Sequence, residues 1–465
     1  MTFLTIPFLI LFTITYIIVL ISKTNKRRKE VLLIASYVFY AWWDVRFLFL
    51  MIFEEFICYY LALKIKRSEK KECKKFYVLT GVLISLGILG YYKYFDFFRE
   101  TFYNAFNIQN YTTLNIILPI GISFYTFQSL SYLIDVYREK VEAKEDFLTI
   151  SLYVSFFPQL VAGPIVRSDA FLPQLEEYKP LTKANFSKGI QIFMMGAFKK
   201  AVIADRLAVC VDAVFGAPSA YSGTSILCAI VSYTIQIYCD FSGYSDMAIG
   251  IAEIFGYELC QNFNVPYISK NPTEFWKRWH ISLSSWLQEY LYISLGGNRK
   301  GTLRTYINLL ITMFLGGLWH GASWTFVVWG ILHGMGLVIH KLWLKYKKTT
   351  RSSIYKDMLC ISLNLVFVMI CWVFFRAETL EDAIVILQRL FTWSDGIIYV
   401  YSWTILFGIL TFGAHIWAQF KNNRNGKYII LDLSKMKNQI IFFVVFWIIL
   451  GFSYFGNNAF IYFKF

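Results

Sequence analysis

Charge is scarce in this sequence. Only 16% of its 465 residues are Asp, Glu, Lys or Arg, where a soluble domain usually carries about 25%. With 57% hydrophobic and 20% aromatic residues, the composition argues against a soluble domain. The apolar stretches also lack the strict alternation of apolar and polar positions that a membrane barrel would show. The eight cysteines form no Cys-x-x-Cys pair and no regular spacing. Most lie inside apolar runs, such as Cys58, Cys228 and Cys371, where they read as small core hydrophobes. No disulfide framework and no metal site is expected. Histidine is rare: His280, His320, His333, His340 and His415 are all there are. Neither His333 nor His340 has a ligand-like partner one helical turn away, so zinc is not expected. No internal repeat or long linker interrupts the chain. It reads as one membrane domain over 1–465, with N-terminal helices over 1–115, a core over 116–345, and C-terminal helices with an aromatic tail over 346–465.

Long apolar runs are abundant. Phe3 to Ile21, Phe47 to Leu63, Thr224 to Tyr238, Trp324 to Ile339 and Ile440 to Tyr454 reach or approach the roughly 20 residues that cross a bilayer. Helix is the structure that satisfies its own backbone in lipid, so the expected class is an all-α polytopic membrane protein. The net charge of +15 does not point to nucleic acid, because the bases sit in short loops between apolar runs. One cluster is Lys23, Lys26, Arg27, Arg28 and Lys29; the other is Lys64, Lys66, Arg67, Lys70, Lys71, Lys74 and Lys75. The positive-inside rule places both on the cytoplasmic side. Val31 to Trp43 and Phe47 to Leu63 then form a helical hairpin between them, and the N-terminus lies outside. The first apolar run lacks a basic leading region and a small-residue cleavage site, so it is expected to be a retained helix. The setting is a plasma or inner membrane crossed many times, with lipid as the surrounding partner.

The middle of the chain differs from its start. Apolar runs are broken at Leu118-Pro119-Ile120-Gly121, Phe157-Pro158-Gln159, Ala162-Gly163-Pro164 and Asp240-Phe241-Ser242-Gly243-Tyr244-Ser245-Asp246. Irregular backbone at membrane depth is tolerated only inside protein or along a wet cavity, so this zone is expected to line an internal site. Further on, Thr379 is a plausible N-cap, followed by Glu381 and Asp382 where a helix dipole favours acids. A short interfacial helix is expected there.

Polar groups inside a membrane are costly, so each is a functional candidate. His320 lies in Leu315-Gly316-Gly317-Leu318-Trp319-His320-Gly321-Ala322. Flanking glycines let another backbone or a ligand come close. An imidazole there is either a general base or a structural group bonded to a carbonyl between two helices. His280 closes Glu274-Phe275-Trp276-Lys277-Arg278-Trp279-His280. That stretch is either an interfacial anchor or a place where Lys277 and Arg278 meet phosphates. Asp240, Ser242, Tyr244 and Asp246 are either loop residues capping helix ends or orienters of an imidazole or a hydroxyl. One of Glu54 and Glu55 is expected to face the bundle interior in a structural role.

Taken in order, these stretches resemble the membrane-bound O-acyltransferases. The likeness is carried by Gly317-Leu318-Trp319-His320-Gly321, by Glu274 to Ser284, by Asp240 to Asp246 and by Gly163-Pro164-Ile165-Val166-Arg167. Leu118 to Tyr125 and Tyr290-Leu291-Tyr292-Ile293-Ser294-Leu295-Gly296-Gly297-Asn298-Arg299 resemble the alginate O-acetyltransferase branch in particular. The resemblance implies a ring of about 10–12 helices around a tunnel, with re-entrant segments. It implies that His320 is the catalytic base and His280 the second polar position. Trp319, Asp240, Ser242, Tyr244, Asp246, Lys277, Arg278, Asn298 and Arg299 would line the tunnel or hold substrate or donor. The implied donor is acetyl-CoA, with no metal. The implied acceptor is an extracytoplasmic polysaccharide, reached with the help of an SGNH-hydrolase-like transferase. D-alanyl transfer to teichoic acids ranks second, and a transporter, a flippase or a recruiting scaffold are further alternatives.

The chain ends Asn457-Asn458-Ala459-Phe460-Ile461-Tyr462-Phe463-Lys464-Phe465. Chain ends are normally polar and mobile. An aromatic end is either an interfacial anchor or an acyl relay. In the relay, Tyr462 takes the acyl group through His320 and presents it outside. The tail resembles the tyrosine-bearing end of the small partner protein of the D-alanylation system.

Overall fold

Sequences that bury apolar side chains all round and have no water to satisfy their backbone are confined to helices. The computed structural model describes residues 1–108, 112–346, 353–420, 428–454 and 460–461. Among the described residues no strand forms; a single isolated bridge joins Tyr221 and Ile397. By contact the chain divides into two compact units, 1–193 with 245–260, and 194–244 with 261–465.

In the first unit, α1 (Ile6–Ile21), α2 (Asn25–Ala41), α3 (Val45–Arg67), α4 (Lys71–Leu89) and α5 (Phe95–Ala105) run in succession. A π-helical turn at Gly90–Tyr94 joins the last two. The expected hairpin between the basic clusters is α2 and α3. Thr24 caps α2 by accepting from the Arg27 amide at 3.3 Å, and Asp44 caps α3 by accepting from the Arg46 amide at 2.9 Å. Lys64, Lys66 and Arg67 occupy the last turn of α3, where the helix dipole favours cations. Next come α6 (Ile122–Tyr137) and the short helices α7 (Phe147–Ser155), α8 (Phe157–Leu160) and α9 (Ser168–Glu176). The break before α6 has a steric cause. Gly121 has φ of +75°, and a Cβ there would come within 3.0 Å of the Leu160 carbonyl oxygen, so glycine is required. The unit also holds most of α10 (Lys183–Ala197). Both Glu54 and Glu55 are buried, rather than one. Helix α3 is packed by α2 and α7 as well as by α4 and α6, which encloses two adjacent positions. Glu55 accepts from the Tyr37 hydroxyl at 2.7 Å, and Glu54 from Thr126 at 3.2 Å.

The second unit begins at the end of α10, which continues as a π-helical stretch, Phe198–Ala204, into α11 (Asp205–Gly216). Helix α12 (Gly223–Ile254) follows, its residues to Tyr244 in this unit and those from Ser245 in the first. Then come α13 (Pro272–Arg278), α14 (Ile281–Trp286), α15 (Thr302–His320), α16 (Trp324–Tyr346), α17 (Ile354–Arg376), α18 (Leu380–Phe391), α19 (Ser402–Phe420) and α20 (Met436–Phe452).

Among the described residues four helical stretches are long and apolar enough to cross a membrane: Lys71–Ala105, Gly223–Ile254, Trp324–Tyr346 and Ile354–Arg376. Ile6–Ile21 and Met436–Phe452 are shorter apolar helices. The protein is an all-α polytopic membrane protein. Helix α18 starts where the sequence places it. Thr379 accepts from the Asp382 amide at 3.1 Å and donates its hydroxyl to the Asp382 carboxylate at 2.7 Å, a reciprocal N-terminal cap.

The stretch Asp240 to Asp246 departs from expectation. It is not a loop capping helix ends, because α12 runs through it without a break. Gly243 presents bare backbone to the preceding segment. A Cβ there would meet the Gly196 oxygen at 2.8 Å and the Lys200 nitrogen at 3.1 Å. The charge of Asp240 is met by Lys200. Close packing and a counterion keep helical what local composition would break.

Candidate active site

The second unit brings the two candidate histidines together. Helices α15 and α16 pack as a tight hairpin whose turn is Gly321 to Ser323. A Cβ on Gly317 would lie 2.3 Å from the Phe326 carbonyl oxygen, and one on Gly330 would lie 2.4 Å from that of Met313. Gly317 therefore serves the approach of a backbone, that of α16, while Gly321 faces the Phe326 ring. His320 ends α15 and is only 3% exposed. Its ring meets the edges or faces of Trp319 at 5.0 Å, Trp329 at 4.9 Å and Phe375 at 5.1 Å between centroids. His280 lies 6.3 Å away, centroid to centroid.

His280 sits at the turn between α13 and α14, two helices too short to cross a membrane, with φ of +44°. The turn is held by Asn262. The Asn262 side-chain oxygen accepts from the Ser282 amide at 3.2 Å, the Ser282 hydroxyl at 2.9 Å and His280 Nδ1 at 3.1 Å. A backbone N–H can only donate, so it fixes which end of the amide faces the turn. Nδ1 of His280 then carries the ring proton, and Nε2 is the basic nitrogen. Burial pushes this imidazole down, to about 3, so it is neutral. Phe241 of α12 meets it edge-on at 4.6 Å, and Trp319 lies 5.9 Å away.

A cavity of about 250 Å³ opens in the same unit. Its lining includes the apolar Leu287, Leu309, Met313 and Leu337 together with Lys277, Lys341, Asn298, Tyr292 and Thr273. Lys277 is exposed and Lys341 half-buried. Neither has a carboxylate partner among the described residues. Lys341 donates to the Asn298 side-chain oxygen at 2.9 Å, and the Tyr292 hydroxyl reaches the same atom. The cavity wall includes Trp276, whose ring is 5.8 Å from that of Trp329. Since Trp329 also packs on His320, a continuous aromatic wall leads from the cationic cavity to His320.

Several expected site residues lie elsewhere. Arg278 is not open to phosphates in the manner of Lys277: it pairs with Glu274 at 2.8 Å. Arg299 is exposed in the loop before α15. Asp246 falls in the first unit. Asp240 binds Lys200, at 2.5 Å, and orients no imidazole among the contacts of its carboxylate. Ser242 is buried on α12, and Tyr244 packs its ring 4.7 Å from Phe460. Tyr462 lies outside the described residues. Among the described residues there is no cluster of three or more potential metal ligands.

Three contributors escaped the sequence reading. His333 is fully buried and walled by Trp276, Trp329 and Phe275, with neither ring nitrogen hydrogen-bonded among the described residues. Lys341 stands on α16 two helical turns beyond it, with Leu337 between; that spacing was the available signal. Asn262 gave none, because its role depends on a turn made eighteen residues later.

Residues 142–380 match the family described as MBOAT, membrane-bound O-acyltransferase family. The chain is 43% identical over 380 residues to the probable alginate O-acetylase AlgI of Pseudomonas aeruginosa, covering 81% of this chain and 72% of that one. It is 40% identical over 385 residues to the peptidoglycan O-acetyltransferase of Helicobacter pylori, covering 77% and 72%. It is 28% identical over 262 residues to the teichoic acid D-alanyltransferase of Streptococcus thermophilus, covering 51% and 60%.

Proposed function

The chain belongs to the membrane-bound O-acyltransferase family, in its alginate O-acetyltransferase-like branch, and is an O-acyltransferase; from that premise we propose that it moves an acetyl group from cytoplasmic acetyl-CoA through the membrane to a hydroxyl destined for an extracytoplasmic polysaccharide. The observation that carries this reading is the pairing of a buried, ring-walled imidazole, His320, with a cavity bearing two cations that have no carboxylate partner among the described residues. Coenzyme A has a phosphate-bearing head and a long thin arm ending in the thioester. Lys277 and Lys341 suit the head, and the apolar lining suits the arm. No metal enters the proposal. The greater identity to the O-acetyl-transferring relatives than to the D-alanyltransferase favours acetyl.

The chemistry is acyl exchange. His320 takes the proton of the attacking hydroxyl as its oxygen bonds to the thioester carbonyl carbon. The carbon–sulfur bond then breaks, and the departing thiolate recovers that proton from the imidazolium. A positioned base of this kind contributes roughly 10²–10⁴-fold, and holding both reactants in register supplies much of the rest. His280, fixed by Asn262, shapes the same space. Trp319, Trp329 and Phe375 exclude water that would hydrolyse the thioester.

The first hydroxyl to be acylated is the phenol of Tyr462. A phenol ionises near pH 10, far below a sugar hydroxyl, so its ester is the better donor and onward transfer is downhill. An SGNH-hydrolase-like transferase outside the membrane completes that second step. The N-terminus faces the same outer side, in a plasma or inner membrane. The test is intact-peptide mass spectrometry of the C-terminus from protein in vesicles loaded with labelled acetyl-CoA. The acetyl mass is expected on the wild-type peptide and absent from Tyr462→Phe. An unmodified wild-type peptide while donor is consumed would overturn the relay.

A further inference from the structure

Two thiols meet in the second unit, away from the histidine pair. Cys210 is fully buried on α11, and Cys228 is half-buried in the second turn of α12. The Cys210 thiol hydrogen-bonds the Cys228 sulfur. That sulfur also accepts from the Tyr401 amide at 3.4 Å, and the Cys228 thiol donates to Thr404 Oγ1 at 3.6 Å. Thr404 is held in turn by Ser232, oxygen to oxygen 2.7 Å. The Tyr401 contact closes a series. Along 397–401 alternate amides each find an acceptor: Ile397 on the Ala220 carbonyl oxygen at 2.9 Å, Tyr399 on Ser225 Oγ at 2.7 Å, and Tyr401 on Cys228. A backbone N–H inside protein needs such a partner, and these partners fix where the Cys228 sulfur stands.

The pair's place along α12 gives its compartment. Phe255 follows directly on α12, and its carbonyl oxygen accepts from Arg28, a member of the first basic cluster. At the rise of an α-helix, the 32 residues of α12 extend about 48 Å. The hydrocarbon core of a bilayer is roughly 30 Å thick. On the reading that puts the basic clusters in the cytoplasm, the first turns of α12 emerge at the outer face. Disulfides form and persist outside the cytoplasm, whereas cytoplasmic thiols are kept reduced.

We propose that Cys210 and Cys228 are a disulfide-forming pair that exchanges with external disulfides at the outer end of α12 and, once joined, fastens α11 to α12 beside the stretch 397–401. Cys228 is the attacking thiol, because it is the more exposed. Cys210 is the resolving thiol, because it is enclosed and already touches the Cys228 sulfur. The Cys228 thiolate attacks one sulfur of the external disulfide. That S–S bond breaks, one external thiol leaves with the proton that Cys228 gave up, and a mixed disulfide remains. The Cys210 thiolate then attacks the Cys228 sulfur, and the second external thiol leaves with the proton of Cys210. Two protein thiols are oxidised and one external disulfide is reduced to two thiols. The pair stands on its contacts; its compartment rests on the reading that the basic clusters face the cytoplasm.

The experiment uses the full chain in sealed membrane vesicles, right side out or inverted, with oxidised glutathione as an impermeant disulfide. Remaining thiols are alkylated, and the chain is digested for mass spectrometry. In right-side-out vesicles the peptides of Cys210 and Cys228 are expected to be joined with the loss of two hydrogens, and to separate on dithiothreitol. Joining should raise the thermal midpoint by several degrees, because it closes a loop in the unfolded chain. Cys210→Ser is expected to accumulate glutathione on Cys228, and Cys228→Ser to leave Cys210 free. Recovery of both thiols free in the wild-type chain would overturn the pair, as would glutathione on Cys210 in Cys228→Ser. The wild-type result decides alone if a variant fails to fold. Cys73, exposed between Lys71 and Lys74, reports the compartment and is expected to take glutathione in inverted vesicles only. Its labelling in right-side-out vesicles would overturn the cytoplasmic reading of the basic clusters. Joining of Cys210 to Cys228 in inverted vesicles alone would overturn the outer placement and leave the pair standing.

Discussion

In the first compact unit several buried polar groups are tied from helix to helix, whereas His320 and His333 of the second are walled by aromatic rings. Glu55 takes the Tyr37 hydroxyl, Glu54 takes Thr126, and Ser168 donates to Asp135 at 2.8 Å. Lys29 joins Asp146 at 2.8 Å and Thr149 at 2.6 Å. These bonds tie helix to helix, and a group committed in that way is poorly placed to react. In the second unit Trp319, Trp329 and Phe375 surround His320, and His333 has no hydrogen bond among the described residues. A dry aromatic wall strengthens every charge that develops inside it. The contrast separates polar groups bonded from helix to helix from imidazoles set among aromatic rings.

Two variants test that contrast from opposite sides. The larger effect is expected in the second unit. Replacing Lys277 and Lys341 together by Ala should raise KM for acetyl-CoA by about tenfold, the order expected for losing 1.4 kcal/mol of binding. Steady-state kinetics with varied donor would show it, with kcat and thermal stability nearly unchanged. A kcat loss with KM unaltered would place the donor elsewhere. The smaller effect on activity is expected in the first unit. Glu55→Ala leaves the Tyr37 hydroxyl without its acceptor, which costs about 1–3 kcal/mol. Thermal unfolding should begin several degrees lower, while activity per folded molecule stays within about twofold, the margin that a role in the fold alone allows. A large loss of turnover without loss of stability would erase the distinction between the units.

Local signals in the sequence carried well. The Thr379 cap rests on a neighbour three residues away and the α2–α3 hairpin on the basic clusters that flank it, while the break at Leu118 to Gly121 was legible although the contact that requires it lies at Leu160. His320 and His280 were legible through the ordered motifs around them, and their rings lie 6.3 Å apart. What the sequence hid depends on distant partners. Asp240 to Asp246 reads as a helix breaker until Lys200 supplies its counterion and Gly243 its close contact. Arg278 and Lys277 are adjacent and alike in sequence, yet Glu274 engages one and not the other. The glycines beside His320 could have admitted a ligand or a backbone, and only the packing of α16 shows which. Both Glu54 and Glu55 are inside because α3 is covered on two sides, a fact of tertiary packing that no helical period encodes.

The central claim is that His320 is the base for acyl transfer, and a single-turnover experiment tests it most directly. Wild-type and His320→Ala proteins, purified from membranes at equal yield, are mixed with labelled acetyl-CoA, and label on the C-terminal peptide is followed in time. The account predicts a fall of at least 10²-fold in the variant's rate, with unchanged donor binding and unchanged melting. Labelling of His320→Ala at the wild-type rate would contradict it.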